Sequence, residues 1–253
     1  MSENIQGPGL LFVNSKIIRP DLIDEEAFFK WYDEDHIAEI LATSGIQSAF
    51  RFLDVNIGSV ERPYLAMYPM RDIGFTKTEE FRNINVSSDM LPNGGPIYDL
   101  ADFDVRYYKL VQVFDPKKKG KGVVKTIIAA QYELGELTED EFDSWYRKEH
   151  LDQLAGVPGY LRTTRFKLAL ARSNAQSRAL KGLSTDDEPP PQPPKWLAVH
   201  EFESEEVDVV SLRQLTDTEW TRKINSVSKS RVFPVFKIAK AHGAGDWFHD
   251  VAE

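Results

Sequence analysis

The chain has 253 residues, 42% of them hydrophobic and 11% aromatic, enough for two small domains with ordinary cores. Its 40 acidic against 31 basic residues give a formal net charge of −9. That balance argues against a general nucleic-acid or anionic-membrane surface, because counterion release needs a clustered positive face. Cysteine is absent, which removes disulfides, thiolate zinc sites and a cysteine nucleophile.

The first residues, Met1–Gly9, hold no charged segment followed by an apolar stretch, so no secretory signal is read there. No apolar run approaches the roughly 20 residues of a membrane span, and the expectation is a soluble, cytoplasmic protein. Leu10–Ile18 is an apolar, β-branched run and reads as a strand. Asp24, followed by two glutamates, is a good N-cap for a helix carrying Phe28, Trp31, Tyr32 and His36. After Gly45 come two strands, Ile46–Val55 and Tyr64–Tyr68, then a helix around 74–85 and a strand over Phe103–Phe114. The short basic run Lys117–Lys121 lies among Gly and Pro and reads as a solvated loop.

The same order then recurs. Val123–Glu133 is a strand, and Thr138-Glu-Asp-Glu141 has capping-box spacing ahead of a second helix. Pro158-Gly159 leads into the strand Tyr160–Ala171, and a strand begins at Trp196-Leu-Ala-Val-His200. A helix is expected within 205–226 and a closing strand over Arg231–Lys240. Sliding the sequence on itself by 114 positions aligns 24–52 with 138–166 without a gap and makes eight pairs identical. They are Glu25/Glu139, Phe28/Phe142, Trp31/Trp145, Tyr32/Tyr146, His36/His150, Gly45/Gly159, Arg51/Arg165 and Phe52/Phe166. Random pairing gives about two. The repeat is a duplicated unit.

Each copy reads strand, helix, strand, strand, helix, strand, the ferredoxin-like split βαβ order. The fold class expected is therefore α+β, with tandem βαββαβ units. Strands apolar on both alternations call for cover on both faces, which two such sheets placed face to face supply. The expected product is an intramolecular dimeric α/β barrel: a monomeric pseudo-dimer, or a further homodimer of it. The first unit is assigned to 1–116, the second to 117–240 and a C-terminal tail to 241–253. A charged, proline-rich loop at about 172–194 reads as an extended, mobile linker, with a lid as the alternative.

The residues Phe28-x-x-Trp31-Tyr32-x-x-x-His36, Gly45 and Arg51-Phe52, with their partners Phe142-x-x-Trp145-Tyr146-x-x-x-His150, Pro158-Gly159 and Arg165-Phe166, resemble the EthD-like proteins. That family lies in the dimeric α/β-barrel superfamily, and the likeness is strongest to its tandem, fungal-type versions. The resemblance covers nearly the whole chain and implies a pocket between a unit's helices and sheet, with a histidine or tyrosine as acid or base.

Phe28 and Trp31 read most simply as core residues, as does Trp145; the alternative makes both tryptophans pocket walls. Tyr32, His36, Tyr146 and His150 each carry a polar tip that must be hydrogen-bonded if buried. They are either structural bonds or proton-transfer pairs, the latter suiting histidine near neutral pH. Arg51 and Arg165 are expected to orient a substrate carboxylate or enolate if they point inward. His200 replaces Tyr68 on the third strand and would bring a second imidazole to the second copy. Adjacent helix positions cannot converge on one ion, so no metal site is assigned, and no cofactor-binding motif is present. The function expected is cofactor-independent acid–base catalysis on a small aromatic or polyketide-like molecule: cyclisation, isomerisation, decarboxylation or dehydration. The alternative is a non-catalytic small-ligand-binding or stress-related protein.

Overall fold

The structure is a computed structural model and describes residues 5–56 and 60–248. It begins with strand β1 (Gly9–Ile17), followed by helices α1 (Glu25–Trp31) and α2 (Ile37–Ala42), joined by one wider turn at Tyr32–His36. Asp24 starts α1 by accepting the Ala27 amide at 2.8 Å, as its side chain and position require. Strands β2 (Ser48–Asp54) and β3 (Tyr64–Met70), the short helix α3 (Glu79–Asn83) and strand β4 (Ala101–Phe114) complete the first copy.

The second copy repeats this with β5 (Thr126–Glu133), α4 (Glu139–Trp145), α5 (Leu151–Ala155) and β6 (Tyr160–Arg172). Helix α6 (Asn174–Leu180), β7 (Trp196–Phe202), α7 (Val209–Thr216), α8 (Glu219–Val227), β8 (Ser230–Val232) and β9 (Val235–Gly243) follow. Thr138 caps α4 through the Glu141 amide at 3.2 Å, while the Glu141 carboxylate takes Lys223 at 2.6 Å.

Antiparallel pairing gives β4–β1–β3–β2 in the first copy and β9–β5–β7–β6 in the second. Both are the ferredoxin-like order that the repeat implied. The central strands β3 and β7 are buried at every position, so their alternation carries no polar face.

The described chain divides into two compact units. The first holds residues up to Lys109, Ala169–Gln192 and Ala239–Trp247; the second holds Leu110–Leu168, Pro193–Ile238 and Phe248. The ends of β6 and β9 thus belong with the first copy of the repeat. The first unit's core gathers Phe28, Trp31, Tyr32, Tyr64, Tyr68 and Phe103, and the second packs Tyr132, Phe142, Trp145, Tyr146 and Trp196.

Four segments depart from the expected boundaries. The helix expected at 74–85 is a tight turn over Ile73–Lys77 followed by α3. Asp72 caps the turn through Gly74 N, and Thr78 ends it and recaps α3. The helix expected at 205–226 is two helices, because Thr218 accepts the Thr221 amide and starts α8 afresh. Pro234, which has no amide to donate, separates β8 from β9.

The proline-rich segment is the largest correction, since its first third is ordered structure. Ser173 and Gln176 form a complete capping box at the start of α6, and Asn174 Nδ2 donates to the Tyr98 carbonyl at 3.2 Å. The chain beyond Lys240 continues as strand, and Trp247 packs edge-on to Phe50 at 5.4 Å. His249 lies outside the described residues.

Candidate functional site

The tyrosine and histidine of each signature sit on one turn of π-helix. Ile37 N donates to Tyr32 O, and Leu151 N to Tyr146 O, one residue further back than α-helical bonding. The extra residue rotates the histidine. At 100° per residue His36 would lie at the edge beside Tyr32; instead its ring stacks on Trp31, five positions back, at 4.9 Å and 17°. His150 stacks on Trp145 in the same way, at 4.2 Å and 20°.

In the first unit these side chains wall a cavity. It measures about 90 Å³, on a scale where a single water needs roughly 10–15 Å³. That is several water sites and less than the roughly 150 Å³ that encloses benzene, so a planar ring would enter it only in part. Trp31, Tyr32 and His36 line it from the π turn, Tyr68 from β3, Phe103 and Tyr107 from β4, and Tyr98 from the preceding loop. Arg172, Ser177 and Lys181 close it from the end of β6 and from α6 and its C-cap. No aspartate or glutamate is among the lining residues.

Burial sets the protonation of this wall. It pulls the His36 imidazole down to about 4, against a smaller opposing effect of the Asn85 backbone, so His36 is neutral at pH 7. The ring is enclosed by protein yet only half-buried, which fits a side chain whose open face is a cavity wall. Its Nδ1 has no hydrogen-bond partner among the described residues. Burial also raises Tyr32 to about 12 and moves Tyr68, Tyr98 and Tyr107 upward. The phenols stay protonated and can donate. The Tyr68 hydroxyl is turned to the Tyr32 oxygen, an interaction that raises Tyr68 and lowers Tyr32, which leaves the Tyr32 O–H to donate to an oxygen in the cavity.

The second unit uses the same residues more tightly. His150 is 9% exposed, and burial takes it to about 3 against an opposing Gln153 side-chain bond. His200, where the first unit has Tyr68, is tied through Nδ1 to Thr163 Oγ1 at 2.8 Å, and Thr163 meets Tyr160 at 2.8 Å. The two imidazoles lie 6.2 Å apart, and the ring of His200 is 6.4 Å from that of Tyr146. Trp145 is wholly buried and donates Nε1 to Thr221 at 3.2 Å.

The repeated arginines are taken up by carboxylates of their own units. Arg51 forms a two-pronged pair with Asp33 at 2.5 and 2.8 Å, and it does not line the cavity. Arg165 binds Asp143 at 2.8 Å and Gln112 at 2.7 Å, with its guanidinium 4.2 Å above the Tyr146 ring. The carboxylates are not repeat-equivalent: Asp33 aligns with Arg147, and Asp143 with Phe29. Among the described residues no group of three His, Asp or Glu side chains is placed to hold a metal ion.

Of the residues expected at a site, the structure gathers Trp31, Tyr32 and His36 at the first unit's cavity. Trp145, Tyr146, His150, Arg165 and His200 form one buried cluster in the second. Sequence reasoning did not find Tyr98, Tyr107, Arg172 or Lys181. Tyr68 carried a signal, as the repeat partner of His200; the other four have no matching residue in the other copy and carried none.

No protein-family model matches the chain, and no curated protein sequence matches it significantly. Solved structures do. A candidate monooxygenase from Fusobacterium nucleatum shares 12% identity at TM-score 0.54, over 95% of this chain and 96% of its own. An anthrone oxidase-like protein shares 12% at TM-score 0.51, over 97% and 96%. A chlorite dismutase variant from Candidatus Nitrospira defluvii shares 10% at TM-score 0.52, over 93% and 92%. Likeness at such identity is likeness of fold. These neighbours and the repeated strand order agree: the chain has the α+β fold of the dimeric α/β-barrel proteins, with both ferredoxin-like units on one chain.

Proposed function

We propose that the first unit binds a small, planar aromatic or polyketide-like molecule and moves a proton on it without a cofactor. The observation that carries this is a neutral, partly unpaired His36 set in a cavity of aromatic rings. A neutral imidazole accepts a proton, and protonated Tyr32 and Tyr68 can donate to the oxygen where charge develops. A base held at about 4 is weak toward water. It becomes effective when deprotonation leaves an enolate beside it, because the imidazolium then gains a counter-charge. Isomerisation, aldol-type cyclisation and dehydration of a ketone-bearing aromatic begin this way; in a decarboxylation the enolate is left by loss of CO2 instead, and Tyr32 or Tyr68 would donate to it with no proton passing to His36. The Trp-Tyr-x-x-x-His signature supports an EthD-like assignment within the fold, and the anthrone oxidase-like neighbour is compatible with an aromatic substrate.

The test has two parts. Mass analysis of small molecules released from the purified protein should yield an aromatic compound, and His36→Gln should reduce its retention. With that compound as substrate, His36→Gln should lower kcat by 10²-fold or more. Retention without any turnover would make the first unit a binding protein. Unchanged turnover in His36→Gln would eliminate His36 as the base.

A further inference from the structure

We infer that the molecule taken by the first unit is an aromatic anion, a carboxylate or stabilised enolate, and that Arg172 with Lys181 selects its charge. The inference rests on the reading of that unit as a small-molecule site and names the chemical class of its ligand. The ionisable side chains lining the cavity are four protonated phenols, a neutral imidazole and two cations. In a chain with nine more acidic than basic groups, a cavity without a single carboxylate is a selected environment.

Arg172 departs from the pattern of the other enclosed arginines. Arg51 has Asp33, Arg62 has Asp102, Arg106 has Asp104, Arg162 has Glu201 and Arg165 has Asp143. Arg172 is half-buried and rests 4.8 Å above the Tyr107 ring, and no ion pair or hydrogen bond joins it to a described residue. Leaving a guanidinium partly desolvated without an acceptor is costly. A bound carboxylate would remove that cost with a forked pair of hydrogen bonds, while Tyr107 holds the guanidinium plane in place.

Lys181 is the second cation. Its ammonium donates to the Arg82 and Ile84 carbonyls, each at 2.5 Å, which leaves one N–H uncommitted. Burial lowers its pKa against the opposing charge of Glu39, and an anion in the cavity would favour the ammonium form further. Both cations come from the segment that reads as a linker in the sequence. Its anchoring through Ser173, Asn174 and a pair between Arg178 and Asp99 fixes where they stand.

The experiment compares benzoate with its neutral analogue benzamide by calorimetry on the full chain at pH 7. Wild type should bind the carboxylate at least tenfold more tightly, with a preference that weakens as salt rises. Arg172→Met should remove the preference while keeping affinity for the amide, and Arg172→Lys should restore part of it. Equal affinity of wild type for both probes overturns the anion proposal and leaves the small-molecule reading standing. An unchanged preference in Arg172→Met also overturns it. Failure of wild type to bind either probe at millimolar concentration overturns both. The wild-type ratio decides the matter even if a variant does not fold.

Discussion

Two copies of one signature stand in different surroundings. In each, a π turn stacks the histidine on the tryptophan five residues earlier, so the repeated residues encode a local geometry of rings. What surrounds that geometry differs. His36 faces a cavity whose wall includes the Tyr68 hydroxyl and its neighbour Tyr32. His150 lies against His200, whose Nδ1 is occupied by Thr163. The lesson is that the motif specifies architecture, and that chemistry depends on side chains the motif does not contain.

The sharpest way to break the comparison is to remove each imidazole. His36→Gln should cost 10²-fold or more in turnover, whereas His150→Gln should leave the rate within about threefold at a temperature where both proteins are folded. Equal losses from both would show that the copies act alike.

Acid should stress both copies. A histidine whose folded pKa lies below its unfolded value leaves stability untouched above about pH 6.5. Below that the unfolded chain takes up a proton that the folded chain refuses, and stability falls until the folded pKa is reached. With His36 at about 4 and His150 at about 3, each should remove on the order of 3 kcal/mol by pH 4. His200 and His242, also shifted downward, add to the slope. Urea unfolding between pH 6 and 4.5 should show a slope about 1.4 kcal/mol per pH unit shallower in His36→Gln and in His150→Gln. That window lies above the range where Asp33 and Asp143, both shifted downward, begin to protonate. An unchanged slope in His36→Gln would mean that His36 is not desolvated.

The repeated glycines sharpen the contrast, because one alignment column hides two causes. At Gly45 an added Cβ would stand 2.1 Å from the Phe75 ring, so the backbone must pass close to an aromatic. At Gly159 the backbone has φ +77, a left-handed conformation that glycine tolerates. Alanine at either position should cost about 1–3 kcal/mol in chemical denaturation. Trimming Phe75 to leucine should rescue Gly45→Ala, whereas Ser204→Gly, which removes the hydroxyl that would stand 2.7 Å from the new Cβ, should rescue Gly159→Ala only in part because the positive φ remains.

The two ferredoxin-like strand orders and the caps at Asp24 and Thr138 were legible in the sequence, because they depend on residue type and local spacing. The π turn was not, since a period of 3.6 is assumed when a helix is read from its pattern. The partners of Arg51 and Arg165 were hidden for a different reason: the arginine repeats, but its carboxylate moved from position 33 in one copy to 143, the equivalent of 29, in the other. The segment after Arg172 was misjudged because its prolines and acidic residues dominate its composition. Its structure is set by eight residues before them, where Ser173 and Gln176 meet the capping-box spacing.

That capping box gives the smallest effect and the most local one. Ser173 Oγ accepts the Gln176 amide at 3.3 Å, and Gln176 Oε1 accepts the Ser173 amide at 3.1 Å. Ser173→Ala should remove about 1 kcal/mol from α6, a helix too short to hold itself together without such support. Because α6 and its C-cap carry Ser177 and Lys181 to the cavity wall, faster amide exchange there should accompany a fewfold weaker ligand affinity. Exchange around the π turn at Tyr146–His150, which lies in the other unit, should not change. If exchange in α6 rises and ligand affinity stays constant, the helix is a neighbour of the site and not a part of it.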